Sequence, residues 1–411
     1  MTAKIKRTFK YRIYPNREQK SILETWLDIC RVLYNDCLTE RRDAWDISQK
    51  YISYYDQCNQ LREIKTFDNE IKEVHSQVIQ NVLKRIDKSF KNFFRRVKRR
   101  EKAGYPRYKG KDRYDSFTYP QSGFKLEDKK LILSKIGSVN IKKHRDIPED
   151  AKIKTCTIER ELDRWYACFT VEIEIEEPNY EAITNPIGID LGISHLITLS
   201  NGDMEDNPRY LVRSEGKLKR RQKKLSKSKK QSNNRTKRRF EVVKTHRTVR
   251  DQRTDLLHKI SRSLVNTYDL IVFEDLKIRN MLKNHHLAKS ISDVSWSQLT
   301  NFVSYKAEEA GKRVEFVNPR NTSLECSNCG KIVKKPLSQR THKCPFCGLV
   351  MDRDKNAAIN ILNRGLRKSK GFSICQKSSI FEQLKNVGQE LSEFKPEDFS
   401  KRRMIQEAPM L

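Results

Sequence analysis

Four cysteines in two closely spaced pairs could together hold one metal ion. The sequence reads CSNCG at residues 326–330 and CPFCG at residues 344–348, so a glycine follows each pair. Glycine lets the chain turn tightly, which points backbone N–H groups back at the sulfur atoms. Four thiolates at this spacing suit tetrahedral zinc, and four protein ligands leave no open position for a reacting molecule. We therefore predict one structural zinc ion, with two disulfides or four buried thiols as the alternatives, and the predicted ligands are Cys326, Cys329, Cys344 and Cys347.

Three acidic residues stand where predicted elements begin or end. Asp190 interrupts an apolar strand pattern, Glu274 ends a second one, and Asp354 opens a helical pattern after the second cysteine pair. Carboxylates brought to one sheet edge repel each other unless a dication neutralises them, and such oxygen ligands suit Mg²⁺ or Mn²⁺. Two such ions about 4 Å apart can bind the attacking water and the leaving oxygen of a phosphodiester. We therefore predict a two-metal hydrolytic site, with Asp352 as a rival for the third ligand. Hydrogen bonding of Asp190 to backbone amides is the structural alternative.

The composition indicates a nucleic-acid partner. The 411 residues include 85 Lys and Arg against 53 Asp and Glu, a net charge of +32. Self-repulsion of this size favours an anionic partner, either nucleic acid or, as the competing interpretation, a membrane surface. The sequence has no apolar run of about 18 residues and no signal-peptide pattern at its start. We therefore expect a cytoplasmic protein that does not associate with a membrane. We expect the six cysteines outside the two pairs to be reduced thiols.

The first half of the chain reads as a strand, a set of helices and then several strands. Residues 4–14 alternate apolar and polar side chains, which predicts a strand with one basic face exposed to water. Asn16 and Gln19 can form a capping box for the helix that follows. A long helix is predicted from about Asp68 to Arg100, with an apolar row and a basic end. Short strands between Ser116 and Ile175 predict a small barrel that the first strand completes.

Residues 209–253 carry 19 Lys and Arg and few apolar side chains. No Gly or Pro occurs from Lys217 to Ala310, so we predict a helical hairpin that faces nucleic acid, with disorder as the alternative.

Apolar strands follow at residues 268–276 and 313–317. The tail after Lys368 is mixed in charge and poor in core residues, and we expect partial disorder there.

Several longer motifs carry a resemblance to a known family. They are RIYP at 12–15, KNFFRR at 91–96, GYPRYK at 104–109, SISDVSW at 290–296 and DRDKNAAINI at 352–361. Together with the order strand-Asp, strand-Glu, cysteine pairs, helix-Asp, they resemble TnpB over residues 4–365. TnpB proteins are OrfB-type RNA-guided nucleases encoded by small transposons and related to type V CRISPR effectors.

The resemblance implies an α+β multidomain fold. It consists of a wedge-type β-barrel with a helical recognition insert, and an RNase H-like (RuvC) α/β nuclease domain with an inserted zinc ribbon. The implied boundaries are 1–15 for the first wedge strand, 16–110 for the recognition insert and 111–180 for the rest of the wedge. RuvC would follow at 181–321, including a basic arm at 209–262, then the ribbon at 322–350, the last RuvC segment at 351–367 and the tail at 368–411.

The resemblance also implies an activity. Family members bind an RNA from the transposon end and cut double-stranded DNA beside a short transposon-adjacent motif. Carried over, the catalytic and metal-binding set is Asp190 in IDLG, Glu274 in FEDL and Asp354 in DxNAA. The expected cofactors are two Mg²⁺ or Mn²⁺ ions, one Zn²⁺ and a guide RNA, in a monomer with one RNA. A compact type V CRISPR effector, a non-cleaving transposon regulator and a DNA-joining transposase are the alternatives.

Candidate nucleic-acid contacts follow by position. The resemblance implies that the recognition helix and the wedge read the adjacent motif in DNA, so the candidates by position are Gln77, Gln80, Thr118 and Tyr119. Glutamine and threonine side chains can read base edges. For the RNA backbone the candidates are Arg12, Arg107, Lys109, Arg220 and Arg221. The alternative is that these exposed polar residues are simply solvated.

Overall fold

The computed structural model describes residues 2–111, 113–176, 183–336 and 338–368. The chain divides into two compact units. The first is Met1–Glu177 with Gly216–Thr248, and the second is Pro178–Glu215 with Val249–Leu411. The predicted tail, which begins at residue 368, lies outside the described residues from residue 369 onward. No helix among the described residues is long and apolar enough to cross a bilayer.

The first unit is built on a seven-stranded antiparallel sheet with the order β2-β6-β7-β1-β5-β4-β3. The long central strands β1 and β7 pair so that Phe9 lies opposite Phe169. The alternation in the first strand buries Phe9, Tyr11 and Ile13, as predicted. The strands are β1 (Thr2–Tyr14), β2 (Ser116–Tyr119), β3 (Phe124–Leu126), β4 (Lys130–Leu133), β5 (Gly137–Lys142), β6 (Lys152–Glu161) and β7 (Arg164–Glu176).

The strands of the predicted barrel do not close into a ring among the described residues. Strands β2 and β3 stand at the two ends of the sheet and are not paired with each other. Helices pack against the sheet instead. The ring of Trp26 lies 5.5 Å from that of Phe117 and 6.3 Å from that of Tyr119, measured between ring centroids. A buried face can therefore be completed by helices without closing the hydrogen-bonded edges.

Four helices lie between β1 and β2 in the chain, within the segment predicted as the helical insert. They are α1 (Arg17–Ser48), α2 (Tyr54–Phe67), α3 (Asn69–Glu73) and α4 (Ser76–Lys98). The capping box of Asn16 and Gln19 is present at the start of α1. The helix predicted from Asp68 is interrupted, because Val74 adopts an extended conformation and α4 begins only at Ser76.

The basic segment forms two helices, as predicted: α5 (Tyr210–Ser226) and α6 (Asn233–Thr267). Helix α5 has no buried residue. Arg221 Nη1 donates to the carbonyl of Glu241 at 2.9 Å and to Thr245 Oγ1 at 2.6 Å, which joins the two helices. Arg235 Nη1 donates to the carbonyls of Leu225 and Ser228 at the turn between them.

The second unit contains a five-stranded mixed sheet with the order β10-β9-β8-β11-β12. Strands β8, β11 and β12 are parallel, whereas β9 and β10 are antiparallel. The strands are β8 (Pro186–Leu191), β9 (His195–Leu199), β10 (Met204–Asp206), β11 (Leu270–Glu274) and β12 (Arg313–Val317). The predicted strand patterns around Asp190, Glu274 and residues 313–317 are confirmed.

Helices pack against the sheet of the second unit. Its larger core joins the sheet to the end of α6 and to α8 (His285–Val294) and α9 (Trp296–Glu309), which follow the short α7 (Ile278–Met281). A smaller core forms between β11, β12 and the last described helix, α10 (Arg353–Lys368). A two-stranded ribbon of β13 (Thr341–Lys343) and β14 (Val350–Asp352) precedes α10.

Candidate active site and zinc centre

Asp190 and Glu274 lie side by side at the carboxyl edge of the parallel strands. The register of β8 and β11 pairs Ile189 with Phe273, and the two acids follow one position later on each strand. Neighbouring strands lie about 4.8 Å apart, and residues in register point to the same face. The flanking Ile189 and Phe273 are fully buried, which fixes this register. The structure therefore brings together two of the three predicted carboxylates.

Two glycines let α10 lie close to the sheet and bring Asp354 to the same edge. A Cβ at Gly188 would lie 2.2 Å from the carbonyl oxygen of Ala358, and one at Gly365 would lie 2.4 Å from Val272 Cγ2. Any larger residue at either position would push α10 away from β8 or β11. Asp354 lies in the first turn of the helix and is buried.

Asp352, the alternative to Asp354 as the third ligand, is hydrogen-bonded to the backbone of α10. Its Oδ1 accepts hydrogen bonds from the backbone N–H groups of Asp354 at 2.8 Å and Lys355 at 3.0 Å. This is the geometry of a helix N-cap, which satisfies amides that have no partner inside the helix. Asp352 therefore caps α10, and Asp354 is the buried acid that the helix presents.

The three carboxylates interact electrostatically. Burial raises the pKa of Asp190 to about 8, the charges of Glu274 and Asp354 add to this rise, and Arg353 opposes it. Burial also raises the pKa of Glu274, against a hydrogen bond from the Thr322 hydroxyl. Asp352 also raises the pKa of Asp190, and a cation would stabilise a carboxylate whose ionisation is opposed by three neighbouring acids.

Two arginines contact Asp354. Arg353 Nε donates to its Oδ1 at 2.9 Å, and Arg340 Nη1 donates to its Oδ2 at 3.2 Å while Nη2 reaches Ser194 Oγ at 3.1 Å. The three acids do not form a closed cage: among the described residues, only the four cysteines have ligand atoms all within 4.8 Å of one another. Sequence reasoning missed Arg340, because nothing in its local pattern distinguishes it from the many other basic residues.

The four cysteines have the geometry of a zinc site. Cys326 Sγ lies 3.6 Å from Cys347 Sγ, and Cys329 Sγ lies 3.6 Å from Cys344 Sγ. A disulfide needs about 2 Å, whereas a tetrahedron with Zn–S bonds of about 2.3 Å has edges of about 3.8 Å. The donor set therefore fits zinc and excludes the disulfide alternative. The backbone N–H of Leu349 lowers the pKa of Cys347 to about 6, which favours the thiolate that zinc binds. Burial raises the pKa of Cys326 to about 12, so binding of the metal must itself displace that proton.

The remaining cysteines agree with the expectation of reduced thiols where the structure describes them. These are Cys30, Cys37, Cys58, Cys156 and Cys168, all free. Cys375 lies outside the described residues.

Replacing Cys344 by serine is expected to reduce bound zinc from about one ion per chain to nearly none and to lower the melting temperature, because three thiolates hold zinc poorly and its binding orders the ribbon. Elemental analysis and thermal melting measure both effects. Cys156→Ser is the matched control, since Cys156 is a buried free thiol far from the ribbon in sequence. Full zinc content in Cys344→Ser would contradict the assignment.

The candidates for DNA contact differ in exposure. Tyr119 is fully buried, because the alternation of β2 turns Phe117 and Tyr119 into the core, so its prediction as a DNA contact is wrong. Thr118 Oγ1 accepts from Arg85 Nη2 at 3.0 Å on the other face of the strand. Gln77 Oε1 accepts from the backbone N–H of Ser122 at 3.0 Å, whereas Gln80 is exposed.

The candidates for RNA contact also differ in exposure and in their contacts. Arg107 and Arg220 are exposed, and Arg12 is half-buried with its guanidinium 4.8 Å from the ring centre of Tyr14. Lys109 is half-buried, and its backbone N–H and C=O bind the side chain of Asn35. The guanidinium of Arg221 is hydrogen-bonded to α6, so it already has partners within the hairpin. Arg107 and Arg220 therefore remain the most accessible of the five.

Family models match most of the chain. Residues 169–285 match the family described as "Probable transposase", and residues 296–361 match the "Cas12f1-like, TNB domain". Residues 1–50 match a model described as "Helix-turn-helix domain". In the structure, that segment contains the strand β1 and the single long helix α1.

Relatives align over nearly the whole chain. One is named as an RNA-guided DNA endonuclease of Streptomyces pristinaespiralis, 36% identical over 376 residues, which covers 90% of this chain and 92% of the relative. The RNA-guided DNA endonuclease InsQ of Escherichia coli is 30% identical over 377 residues, covering 87% and 92%. The Cas12f1 chain from a cryo-EM structure of its sgRNA–target DNA complex shares the fold, with a TM-score of 0.55 at 15% identity over 88% of this chain and 99% of that one. The chain belongs to the TnpB family, to which these RNA-guided DNA endonucleases are related.

Proposed function

We propose that this protein is an RNA-guided DNA endonuclease of a transposon that cleaves double-stranded DNA beside a short transposon-adjacent motif. The relatives' names support the activity class. The observation that carries the site is the parallel register that sets Asp190 beside Glu274, with Asp354 brought to the same edge by α10. In this proposal the second unit is an RNase H-like, RuvC-type nuclease domain with the zinc ribbon inserted before its last helix.

Asp190, Glu274 and Asp354 would hold two divalent ions, Mg²⁺ or Mn²⁺. Bound there, the ions supply Lewis-acid stabilisation and an activated water for phosphodiester hydrolysis. The carboxylates fit this role because they are oxygen ligands, and because burial and then the neighbouring acids raise the pKa of Asp190, which a cation would offset. Arg340 supports the site from the ribbon: its side chain is 55% exposed and can turn from Asp354 toward a substrate phosphate.

The basic surface would hold the RNA. A net charge of +32 and the exposed Arg107 and Arg220 favour binding to a phosphate backbone, with an affinity that falls as salt rises. Base pairing between the guide and the target strand would supply most of the sequence choice, while the protein reads only the short flanking motif. We propose a monomer with one guide RNA.

A guide exchange tests this function. The protein is purified with its own RNA, the RNA is sequenced, and the target-pairing segment is then replaced by an unrelated sequence. Cutting of a matched duplex in Mg²⁺ is expected to move to the new target and to cease at the old one. Cutting that ignores the guide would overturn the proposal.

Two other outcomes identify the alternatives. Guide-dependent binding without any cleavage in Mg²⁺ or Mn²⁺ would favour a non-cleaving regulator. Strand-transfer products from a transposon-end substrate would favour a DNA-joining transposase. A target-pairing segment that derives from a CRISPR array rather than a transposon end would indicate a compact type V effector.

The raised pKa of Asp190 predicts a pH-dependent stability of the metal-free protein. The folded pKa is about 8, whereas an unfolded Asp has a pKa of about 3.9, so the folded state binds this proton more tightly. The stability that this proton contributes is complete below about pH 4 and is lost as the pH rises through 8, at up to about 1.4 kcal/mol per pH unit.

The measurement compares thermal melting of metal-free wild type and Asp190→Asn between pH 5 and 9. We expect the wild type to lose stability relative to the variant as the pH rises, and Mg²⁺ at pH 8 to restore only the wild type. Parallel pH curves for the two proteins would contradict the electrostatic account of Asp190.

A further inference from the structure

Two buried asparagines on α10 hold the loop that leads into the zinc ribbon. Asn356 Nδ2 donates to the carbonyl of Glu325 at 2.7 Å, and its Oδ1 accepts from the backbone N–H of Ser327 at 2.9 Å. These two partners flank Cys326, the first zinc ligand. The side chain of Asn356 is therefore hydrogen-bonded to the residue before Cys326 and to the residue after it.

Asn360 lies one turn further along the same face of α10. Its Nδ2 donates to the carbonyls of Thr322 at 2.9 Å and Glu325 at 2.7 Å. Asn356 is fully buried and Asn360 is 4% exposed. Buried amides are costly unless hydrogen-bonded, and a leucine would fill similar space, so packing alone does not explain asparagine at both positions.

The same loop reaches Glu274 through Thr322. The Thr322 hydroxyl lies against Glu274 Oε1 and also 3.1 Å from the carbonyl of Pro319. A hydroxyl has one proton to donate, and the charged carboxylate is the stronger acceptor. Thr322 is 3% exposed and Glu274 is 8% exposed, so water does not readily replace this hydrogen bond.

We propose that Thr322, Asn356 and Asn360 form a positioning relay that couples the first zinc-binding turn to the carboxylates of Glu274 and Asp354. The inference rests on the proposed nuclease function and deepens it by naming residues that act through the metal ligands. Asn356 and Asn360 fix the loop to α10, the helix that carries Asp354, and Thr322 orients Glu274. Groups that orient metal ligands typically change metal affinity or activity by about 10- to 100-fold when they are removed.

Thr322→Val removes the hydroxyl and keeps the shape of the side chain, whereas Thr322→Ser keeps the hydroxyl. We expect the valine variant to need about tenfold more Mg²⁺ for half-maximal cleavage. The serine variant should restore the wild-type Mg²⁺ requirement, and guide RNA binding should stay unchanged in both. A purely structural role for Thr322 would lower the melting temperature without moving the Mg²⁺ requirement.

Asn360→Leu tests the other end of the relay and serves if Thr322→Val does not fold. We expect it to raise the Mg²⁺ requirement and to speed zinc release to a chromophoric chelator, because the loop beside Cys326 loses its attachment. Asn363→Leu, on a neighbouring position of α10 that is only half-buried, is the matched control.

Wild-type Mg²⁺ dependence in both Thr322→Val and Asn360→Leu would overturn the relay. Asp190→Ala is assayed in parallel to separate this failure from failure of the nuclease proposal. An inactive Asp190→Ala beside unaffected relay variants removes only the relay, whereas an active Asp190→Ala removes the proposed site itself.

Discussion

Alanine at position 188 is expected to destabilise the second unit by about 3 kcal/mol and to abolish DNA cleavage. The added Cβ would lie 2.2 Å from the carbonyl oxygen of Ala358 and 2.7 Å from the backbone nitrogen of Leu362. Both atoms belong to the backbone of α10, so no side-chain rotation relieves the overlap. The helix must move away from β8 as a body, and Asp354 moves with it.

Gly216→Ala is the matched control for this prediction. Gly216 lies within α5, and apart from its neighbours in the chain and the adjacent backbone of the helix, no heavy atom lies within 4 Å of the position that its Cβ would take. Alanine there should leave cleavage unchanged and stabilise the helix by up to about 1 kcal/mol, because glycine loses more conformational freedom on folding. Thermal melting and guide-directed cleavage measure both variants. A Gly188→Ala protein that melts and cleaves like the wild type would show that α10 does not need its close approach to β8.

The parts of the fold that depend on local patterns could be predicted from the sequence. The alternation of Phe9, Tyr11 and Ile13 marks β1, and the capping box at Asn16 marks the start of α1. The cysteine pairs at Cys326 and Cys344 converge because their spacing and their glycines leave few other arrangements. Each of these features depends on residues close together in the chain, or on one metal that would join two short turns.

Other features depend on tertiary packing that the sequence does not display. Closure of the first sheet is one example, since the number of strands does not decide whether its edges meet or are covered by helices. The interruption of the predicted long helix at Val74 is another. The prediction for Tyr119 overlooked a local signal: Phe117 and Tyr119 alternate in β2 and must share one face.

The acidic residues of the proposed site could be predicted from the sequence, but their surroundings could not. An acid in an apolar strand is costly without a partner, and that cost identifies Asp190 and Glu274. Whether Asp352 or Asp354 completes the set depends on which residue caps α10, and the hydrogen bonds of Asp352 answer that only in three dimensions. The contact of Arg340 with Asp354 joins the ribbon to the site and has no counterpart in the sequence pattern.

Asp190→Ala is expected to lower the rate of guide-directed cleavage by about 10³-fold or more, while guide RNA binding is unchanged. Burial raises the pKa of Asp190, and the charges of Glu274, Asp354 and Asp352 add to this rise, so Asp190 interacts with each of these acids. Under the proposed two-metal mechanism, the two acids that remain would not hold both ions. RNA binding should persist, because it depends on the basic surface and not on the acidic edge.

The most direct test of the account compares cleavage of one matched DNA duplex by RNA-bound Asp190→Ala, Glu274→Ala, Asp354→Ala and Asp352→Ala. Because Asp352 caps α10, its replacement should cost about 1 kcal/mol of stability and leave cleavage measurable. The account predicts that the other three variants bind the guide RNA and do not cut. Cleavage at the wild-type rate by any of those three, with RNA bound, would contradict the claim that these carboxylates form the active site.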